Sequence, residues 1–520
     1  MKQIYKYFFL FSLSFSLAAC GDFDEMNKNP NSPQTVPTQS LISYAEKSLV
    51  NAVRSTTLSI SGANLYVQWL ANNTYTDTDR YYWLSTTGNS PWSDLYLVQN
   101  NLDEIISLNS DESTRLQAAL NGSNNNQIAA TRILKVWAYQ IMTDSWGDIP
   151  YNSYSGKNPS FDAGGAANNI IYPQYASQED IYLDLLNELK EASEQLDINQ
   201  PTFIKGDAIY QGDASKWQKF ANSLSLRVAN RIRHRSESAN NRIKEIISNP
   251  DRYPIFKSNA DNATLAYETT APNQAPFYVA TILANRNDYA VSNVLIDFLK
   301  GEKGPFQITD PRLEAYAQPN IEGEYTGQTY GLDAYTASLG NPNMVSKPGK
   351  EIYKSNYKEV LMEYSEVEFI LSESKNWAQE NYVNGIRASM QKWGVEESLI
   401  NQYISQVAPA NAETVLSQKW VALFMQGAEA WAEYRRTGYP DFLVKKGDVI
   451  WRKTIDGQEV IKRFDPIGIN TLPARLLYPN SEIELNTLQY QKAINRQGAD
   501  ELTTQVWWNK VLVFSKPNKK

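Results

Sequence analysis

Apolar residues recur at helical spacing through most of the chain. Leu41 to Arg54 carries one such pattern, with Ser40 placed as its N-cap. Trp92 to Leu108 and Ile128 to Trp146 carry two more. Ile181, Leu185, Leu186, Leu189 and Ala192 predict a fourth helix, and Trp217, Phe220, Leu224 and Val228 a fifth. Tyr364, Val367, Leu371 and Ala378 predict a later one. The strongest pattern runs from Thr414 to Tyr434 as a single helix. It has Leu416, Trp420, Phe424, Ala428 and Trp431 on one side and stops at Gly438 and Pro440. Strand periodicity stands out once, where Val449 to Ile455 and Gln458 to Phe464 flank Asp456-Gly457, a pair that favours a type I′ hairpin turn. The pattern predicts a mostly α fold of helix pairs packed as degenerate repeats, with long loops and a small β-hairpin. Residues 147–176, 250–286 and 301–350, rich in Gly, Pro, Asn and Tyr, read as long loops of the functional kind.

The N-terminus breaks the helical pattern. Lys2 and Lys6 precede an apolar run from Tyr7 to Ala19. That run falls short of the ~20 residues a bilayer span needs and fits the h-region of a secretory signal. It ends in Leu17-Ala18-Ala19-Cys20, where small residues before a cysteine suit a lipoprotein signal peptidase. Cys20 is the sole cysteine of 520 residues. The expected processing acylates the Cys20 thiol and cleaves before it, leaving residues 20–39 as a lipidated tether rich in Asn, Pro, Ser and Thr. Asp22, Asp24 and Glu25 follow the anchor and are either an export signal to the outer leaflet or simply a soluble tether.

Charge and residue counts narrow the chemistry. The formal net charge of −8 becomes −10 once Lys2 and Lys6 leave with residues 1–19. An acidic body repels nucleic acid and anionic headgroups, so attachment to a membrane falls to acyl chains. A lone cysteine excludes disulfides within the chain and thiolate metal clusters. His234 is the only histidine, which excludes histidine-built zinc and iron sites. It lies in Arg231-Ile232-Arg233-His234-Arg235, a cationic setting that disfavours imidazolium. That basic stretch reads as a solvated helix face paired with local carboxylates, with a partner-docking patch as the alternative. A calcium site built from oxygen ligands stays open, although no EF-hand spacing occurs. No cofactor motif is present: there is no Walker loop, GxGxxG or GxSxG.

Glycoside hydrolysis needs only two carboxylates. Glu363, Glu366, Glu368 and Glu373 share one predicted helix and read as acidic positions on its solvated or partner-contacting side. A carboxylate-dependent glycoside hydrolase on a helical scaffold is therefore the alternative to a binding protein. A structural lipoprotein using its helices only for protein contacts is a third reading. Recognition of a polar ligand needs flat apolar faces beside hydrogen-bonding groups. The segment Asn72 to Trp83 offers both and supplies Tyr75, Arg80, Tyr82 and Trp83 as candidate ligand contacts. A second segment, Pro276 to Tyr289, supplies Tyr278, Arg286 and Tyr289.

Several longer stretches carry a family resemblance. They are DSWGDIPY (144–151), GDASKWQKFANSLSLRVANRI (212–232), TDPRLEAYA (309–317) and YSEVEFILSESKNWA (364–378). The most specific are QKWVALFMQGAEAWAEYRRTGYP (418–440) and RLLYPNSEIELNTLQYQKAINRQGAD (475–500). With them the chain resembles the SusD/RagB nutrient-binding outer-membrane lipoproteins. The resemblance implies a SusD-like fold of tetratricopeptide-like helix pairs over residues 40–520, after a signal peptide at 1–19 and the tether at 20–39. It implies a surface-exposed protein anchored in the outer membrane, an oligosaccharide or peptide ligand, and a SusC-like TonB-dependent outer-membrane transporter as partner. It implies no catalysis.

Overall fold

The computed structural model describes residues 36–164, 170–455 and 457–510. The signal segment, Cys20, the acidic residues after it and most of the tether lie outside the described residues. The longer helices are α1 (Thr38–Val53), α2 (Asn89–Ser110), α3 (Asn124–Trp146), α4 (Gln178–Gln195), α5 (Ala214–Ile232) and α6 (Glu237–Ser248). They continue with α7 (Tyr364–Ser374), α8 (Gln379–Lys392), α9 (Glu397–Gln406), α10 (Ala412–Ala422), α11 (Gly427–Thr437) and α12 (Thr487–Gln497). Through α6 each helix packs on the next in sequence, and α7 packs on α8 and α10. Such serial packing is what consecutive helices carrying period-3.6 apolar stripes produce. The fold is the mostly helical one the periodicity predicts.

Helix starts follow side-chain chemistry. Ser177 caps α4, Asp213 caps α5, and Asn411 with Thr414 closes a capping box on α10. The first helix differs from expectation. It begins at Thr38, with Pro37 at the N-cap and no side-chain cap, so Ser40 lies inside the first turn.

Helix α3 is buried around nearly its whole circumference, between α2, α4 and α5. Its end couples two of the longer sequence stretches. Gly147 holds φ +86°, and a Cβ there would stand 1.8 Å from Gln497 Oε1. That Gln497 oxygen accepts from the Asp148 amide at 2.8 Å. Arg496 Nε meets Asp148 at 2.6 Å, Tyr478 donates to the Asp148 carbonyl at 2.5 Å, and Trp146 donates to the Leu477 carbonyl at 3.0 Å. Residues 144–151 and 475–500 are thus two halves of one buried joint.

The segment read as one helix from Thr414 to Tyr434 is two. Helix α10 ends at Ala422, Met425 takes φ +69°, and α11 starts at Gly427. The break lets α11 lean on the residues around Asn64. A Cβ on Gly427 would stand 2.4 Å from Asn64 Oδ1 and 2.7 Å from its backbone nitrogen, so only glycine fits the approach.

Strands are short and pair in twos: β1 (Leu70–Asn72) with β5 (Tyr289–Val291), β2 (Ile149–Pro150) with β3 (Tyr175–Ala176), and β4 (Ala263–Ala266) with β6 (Lys358–Met362). The predicted hairpin is β7 (Val449–Ile455) with β8 (Gln458–Arg463). Gly457 has φ +78°, and Asp456 lies outside the described residues.

Most of the tryptophan content serves the core. Trp69, Trp137, Trp146 and Trp217 are fully buried. Trp137 donates to the Leu361 carbonyl at 3.0 Å, Trp217 to Asp207 at 2.7 Å and Trp420 to the Val67 carbonyl at 3.1 Å. These three indoles keep their N–H satisfied while their rings fill the interior.

The charged residues are where the sequence misleads most. Arg227 and Arg231 are buried, and so are Glu363, Glu366, Glu368 and Glu373. Arg227 grips Glu366 with two nitrogens at 2.7 and 2.5 Å. Arg231 meets Glu429 at 2.5 Å, Glu433 at 3.1 Å and Asp144 at 3.5 Å. Arg436 is bidentate to Glu373 at 2.8 and 2.7 Å and also bonds Glu433. Lys419 reaches Glu433 at 3.1 Å. Burial alone would raise Glu433, but Arg436, Lys419 and Arg231 hold it well below the usual carboxylate range. Arg227 and Arg231 and the acidic helix are therefore two sides of one internal ion network, while His234 and Arg235 at the end of the basic stretch stay exposed.

Candidate functional site

The ladder between β1 and β5 brings the two candidate loops together. Leu70 pairs with Val291, Ala71 with Ala290 and Asn72 with Tyr289. It is extended by Ser292 donating to the Trp69 carbonyl at 3.0 Å and Asn73 donating to the Asp288 carbonyl at 2.7 Å. Asn73 Nδ2 adds a bond to the Asn287 carbonyl at 3.1 Å. Residues 73–83 and 276–288 therefore emerge side by side.

Asp79 organises the first loop from within. It is fully buried and accepts from the Asn72 amide at 2.9 Å and from Asn72 Nδ2 at 2.6 Å. Burial pushes its carboxyl up to about 7, while the bonds from Asn72 and Gly331 and the charge of Arg80 oppose the shift. Thr78 donates to the Tyr75 carbonyl at 3.0 Å, turning the chain so that Tyr75 faces outward.

The seven candidate residues divide by placement. Tyr75 and Tyr82 are exposed, at 58% and 44%. The Arg286 guanidinium lies 5.3 Å from the Tyr75 ring centroid and pairs with Asp288 at 2.5 Å. Arg80 is mostly covered, pairs with Asp77 at 2.5 Å, and its carbonyl accepts from the Ile467 amide at 2.8 Å. Trp83 and Tyr278 are half-buried and pack on the core. Tyr289 is buried, with its hydroxyl 2.6 Å from that of Ser61. Tyr75, Tyr82 and Arg286 thus form the outer surface, and the other four anchor it.

Beside Arg286 opens a groove of about 520 Å³ lined by Asn285, Asn287, Gln318, Lys347 and Tyr353. Gln318 and Lys347 come from the 301–350 loop and Tyr353 from just beyond it. No sequence pattern marks that segment, because its polar residues have no periodicity. Amides, cations and a ring around an open cleft can hydrogen-bond and stack on a polar, flat-faced ligand.

The acidic helix makes a poor glycosidase centre. Glu366 and Glu373 are held by Arg227 and Arg436, Lys392 meets Glu363 at 2.6 Å, and Asn381 donates to Glu368 at 2.6 Å. Burial and cationic neighbours, Arg436 and Arg233, also lower the His234 pKa. Among the described residues no three His, Cys, Asp or Glu side chains are grouped to hold a metal ion, and no helix is long and apolar enough to cross a membrane.

A helical-repeat scaffold that pairs two aromatic loops beside an amide-lined groove is the architecture of a ligand-binding protein. The chain belongs to the SusD-like family described as starch-binding and associating with the outer membrane, whose profile matches residues 30–465. Among solved structures it is similar to a chitin-binding protein at 24% identity, with a TM-score of 0.73 over 91% of this chain and 100% of that one. A SusD homolog from Parabacteroides distasonis matches at 21% identity and a TM-score of 0.73, over 91% and 98% of the two chains. A chitin-binding SusD homolog from Flavobacterium johnsoniae matches at 22% identity and 0.70, over 91% and 100%. At these identities the likeness is one of fold. No curated protein matches the chain.

Proposed function

We propose that this protein captures an oligosaccharide, or a peptide of similar shape, at the cell surface and delivers it to a SusC-like TonB-dependent outer-membrane transporter. The observation that carries the reading is outward Tyr75 with the Arg286 guanidinium over its ring, and a groove of amides beside Arg286. Sugar rings present an apolar face and a rim of hydroxyls, which matches rings flanked by hydrogen-bonding groups. Membership in a family described as starch-binding supports a glycan, and so do chitin-binding proteins of the same fold. Calorimetric titration with malto-oligosaccharides, chitin oligomers and short peptides should find one class that binds. Tyr75→Ala combined with Arg286→Ala should weaken that ligand by about tenfold or more, while Tyr278→Phe should change little. Unaltered affinity in the double variant would place the ligand elsewhere.

Attachment rests on Cys20 in this reading. Cys20→Ala should shift the protein from the membrane pellet to the soluble fraction, because the described residues contain no spanning helix. Retention in the pellet after a salt wash would sink the lipid-anchor assignment.

A further inference from the structure

A second cavity lies behind the first loop, apart from Tyr75 and the groove beside Arg286. Its volume is about 530 Å³, within the range of small-ligand sites. Tyr81, Tyr434 and Phe464 give it aromatic walls, and Asn470, Gln505 and Asn509 bring amides to its edge. Its cations are Arg435, Lys445 and Lys446, and no carboxylate lines it among the described residues. In a chain with more acidic than basic residues, three lining cations without a lining acid are a local excess of positive charge, opposed only at its rim by the exposed Asp465, 3.8 Å from Lys446.

The backbone around this cavity is held under strain. Tyr81 has φ +67° and Gln68 has φ +60°, and both line it. Non-glycine residues in the left-handed region cost on the order of 1–3 kcal/mol each and persist where the surroundings enforce them, often at ligand clamps. Gln68 is enforced by a two-point clasp, donating to the Val444 carbonyl at 2.9 Å and accepting from the Val444 amide at 2.8 Å. The clasp fixes the segment that carries Lys445 and Lys446. Tyr81 is enforced by edge contacts with Tyr66 at 5.9 Å and Phe464 at 5.6 Å.

Arg435 is short of a counter-charge. Its guanidinium sits 3.6 Å from the Trp431 ring centroid and 5.0 Å from that of Trp508. Nη1 donates to the carbonyls of Asp144 and Ala474 at 2.8 and 2.7 Å, and Nη2 is buried with no hydrogen-bond partner. Asp144 acts on it only at longer range, so burial prevails and draws Arg435 down to about 9. A buried cation with an unused donor is stabilised by an anion brought close.

We propose that this cavity is a second binding site, selective for a sugar unit that bears a carboxylate, a uronic acid. The rings receive the apolar face of the sugar, the edge amides its hydroxyls, and Lys445 and Lys446 with Arg435 the charge. This site is independent of Tyr75 and the groove beside Arg286. The test is calorimetry on the full chain with glucuronate, glucose and acetate as probes. Glucuronate should bind at least about tenfold more tightly than either, with the margin shrinking as salt rises. The exposed pair Lys445→Gln and Lys446→Gln, which leaves the core untouched, should bring glucuronate down to the affinity of glucose. Tyr75→Ala with Arg286→Ala should leave the margin intact. Four outcomes would overturn the proposal: equal affinity for glucuronate and glucose, acetate binding as tightly as glucuronate, a margin that survives the lysine variant, or a margin lost in the Tyr75 variant.

Discussion

Arg231→Met should destabilise the protein by about 3–5 kcal/mol, the usual cost of stripping one partner from a buried ion network. Arg231 has no solvent exposure and serves Glu429, Glu433 and Asp144 at once. Methionine fills part of its volume but leaves three buried carboxylates short of a cation. Arg227, 3.6 Å from Glu429, and Lys419 and Arg436, both on Glu433, are already engaged there and bring no further charge. Urea denaturation of both proteins at neutral pH gives the difference directly. A second variant checks the cause. Arg231→Met with Glu429→Met removes a charge of each sign and should recover part of the loss. A loss below about 1 kcal/mol in the single variant would mean the network behaves like a solvated surface pair.

Asp79 should make stability fall as pH rises. Its folded pKa of about 7 stands above the ordinary carboxylate value of about 3.9. The folded state therefore holds a proton that the unfolded state has lost, and stability declines between about pH 4 and pH 7. The full difference corresponds to about 4 kcal/mol at about 1.4 kcal/mol per unit. Other buried carboxylates titrate in the same window, so the informative quantity is wild type compared with Asp79→Asn. The variant cannot ionise there, and its stability relative to wild type should rise from pH 4.5 to pH 8. Denaturant midpoints across that range provide the check. A pH-independent difference would show that Asp79 titrates normally. The same change should alter hydrogen exchange in residues 72–83, because Asp79 is what the Asn72 amide and side chain hold.

What the sequence discloses is the local part of this architecture. Helices α2 to α5 stand where their apolar stripes place them, because the periodic signal and the buried face are the same residues. The break between α10 and α11 was not legible. Its cause is the approach of Asn64 to Gly427, across more than 360 positions of chain, while the stripe from Leu416 to Trp431 runs through unbroken. Charge was misread for the same reason. Arg227 finds Glu366 139 residues away, and Arg231 finds Glu429 198 away. Nothing near either arginine in sequence announces a buried partner. At the candidate site both loops were legible as aromatic and polar segments, but their adjacency was not. Nor could composition separate Tyr75, which points out, from Tyr289, which bonds Ser61 inside.

The β1–β5 ladder has a consequence for how such a protein can diversify. Three paired residues and two flanking bonds join the two candidate loops, and all the rungs are backbone amides and carbonyls. Backbone bonds are indifferent to most side-chain replacements. Tyr75, Tyr82 and Arg286 can therefore be exchanged in the course of descent while the rungs keep their register. The helical body below, held by its internal ions, need not change with them. On the proposed function, a lineage built on this plan takes up a new nutrient by rewriting a few exposed positions, without redesigning the scaffold that presents them.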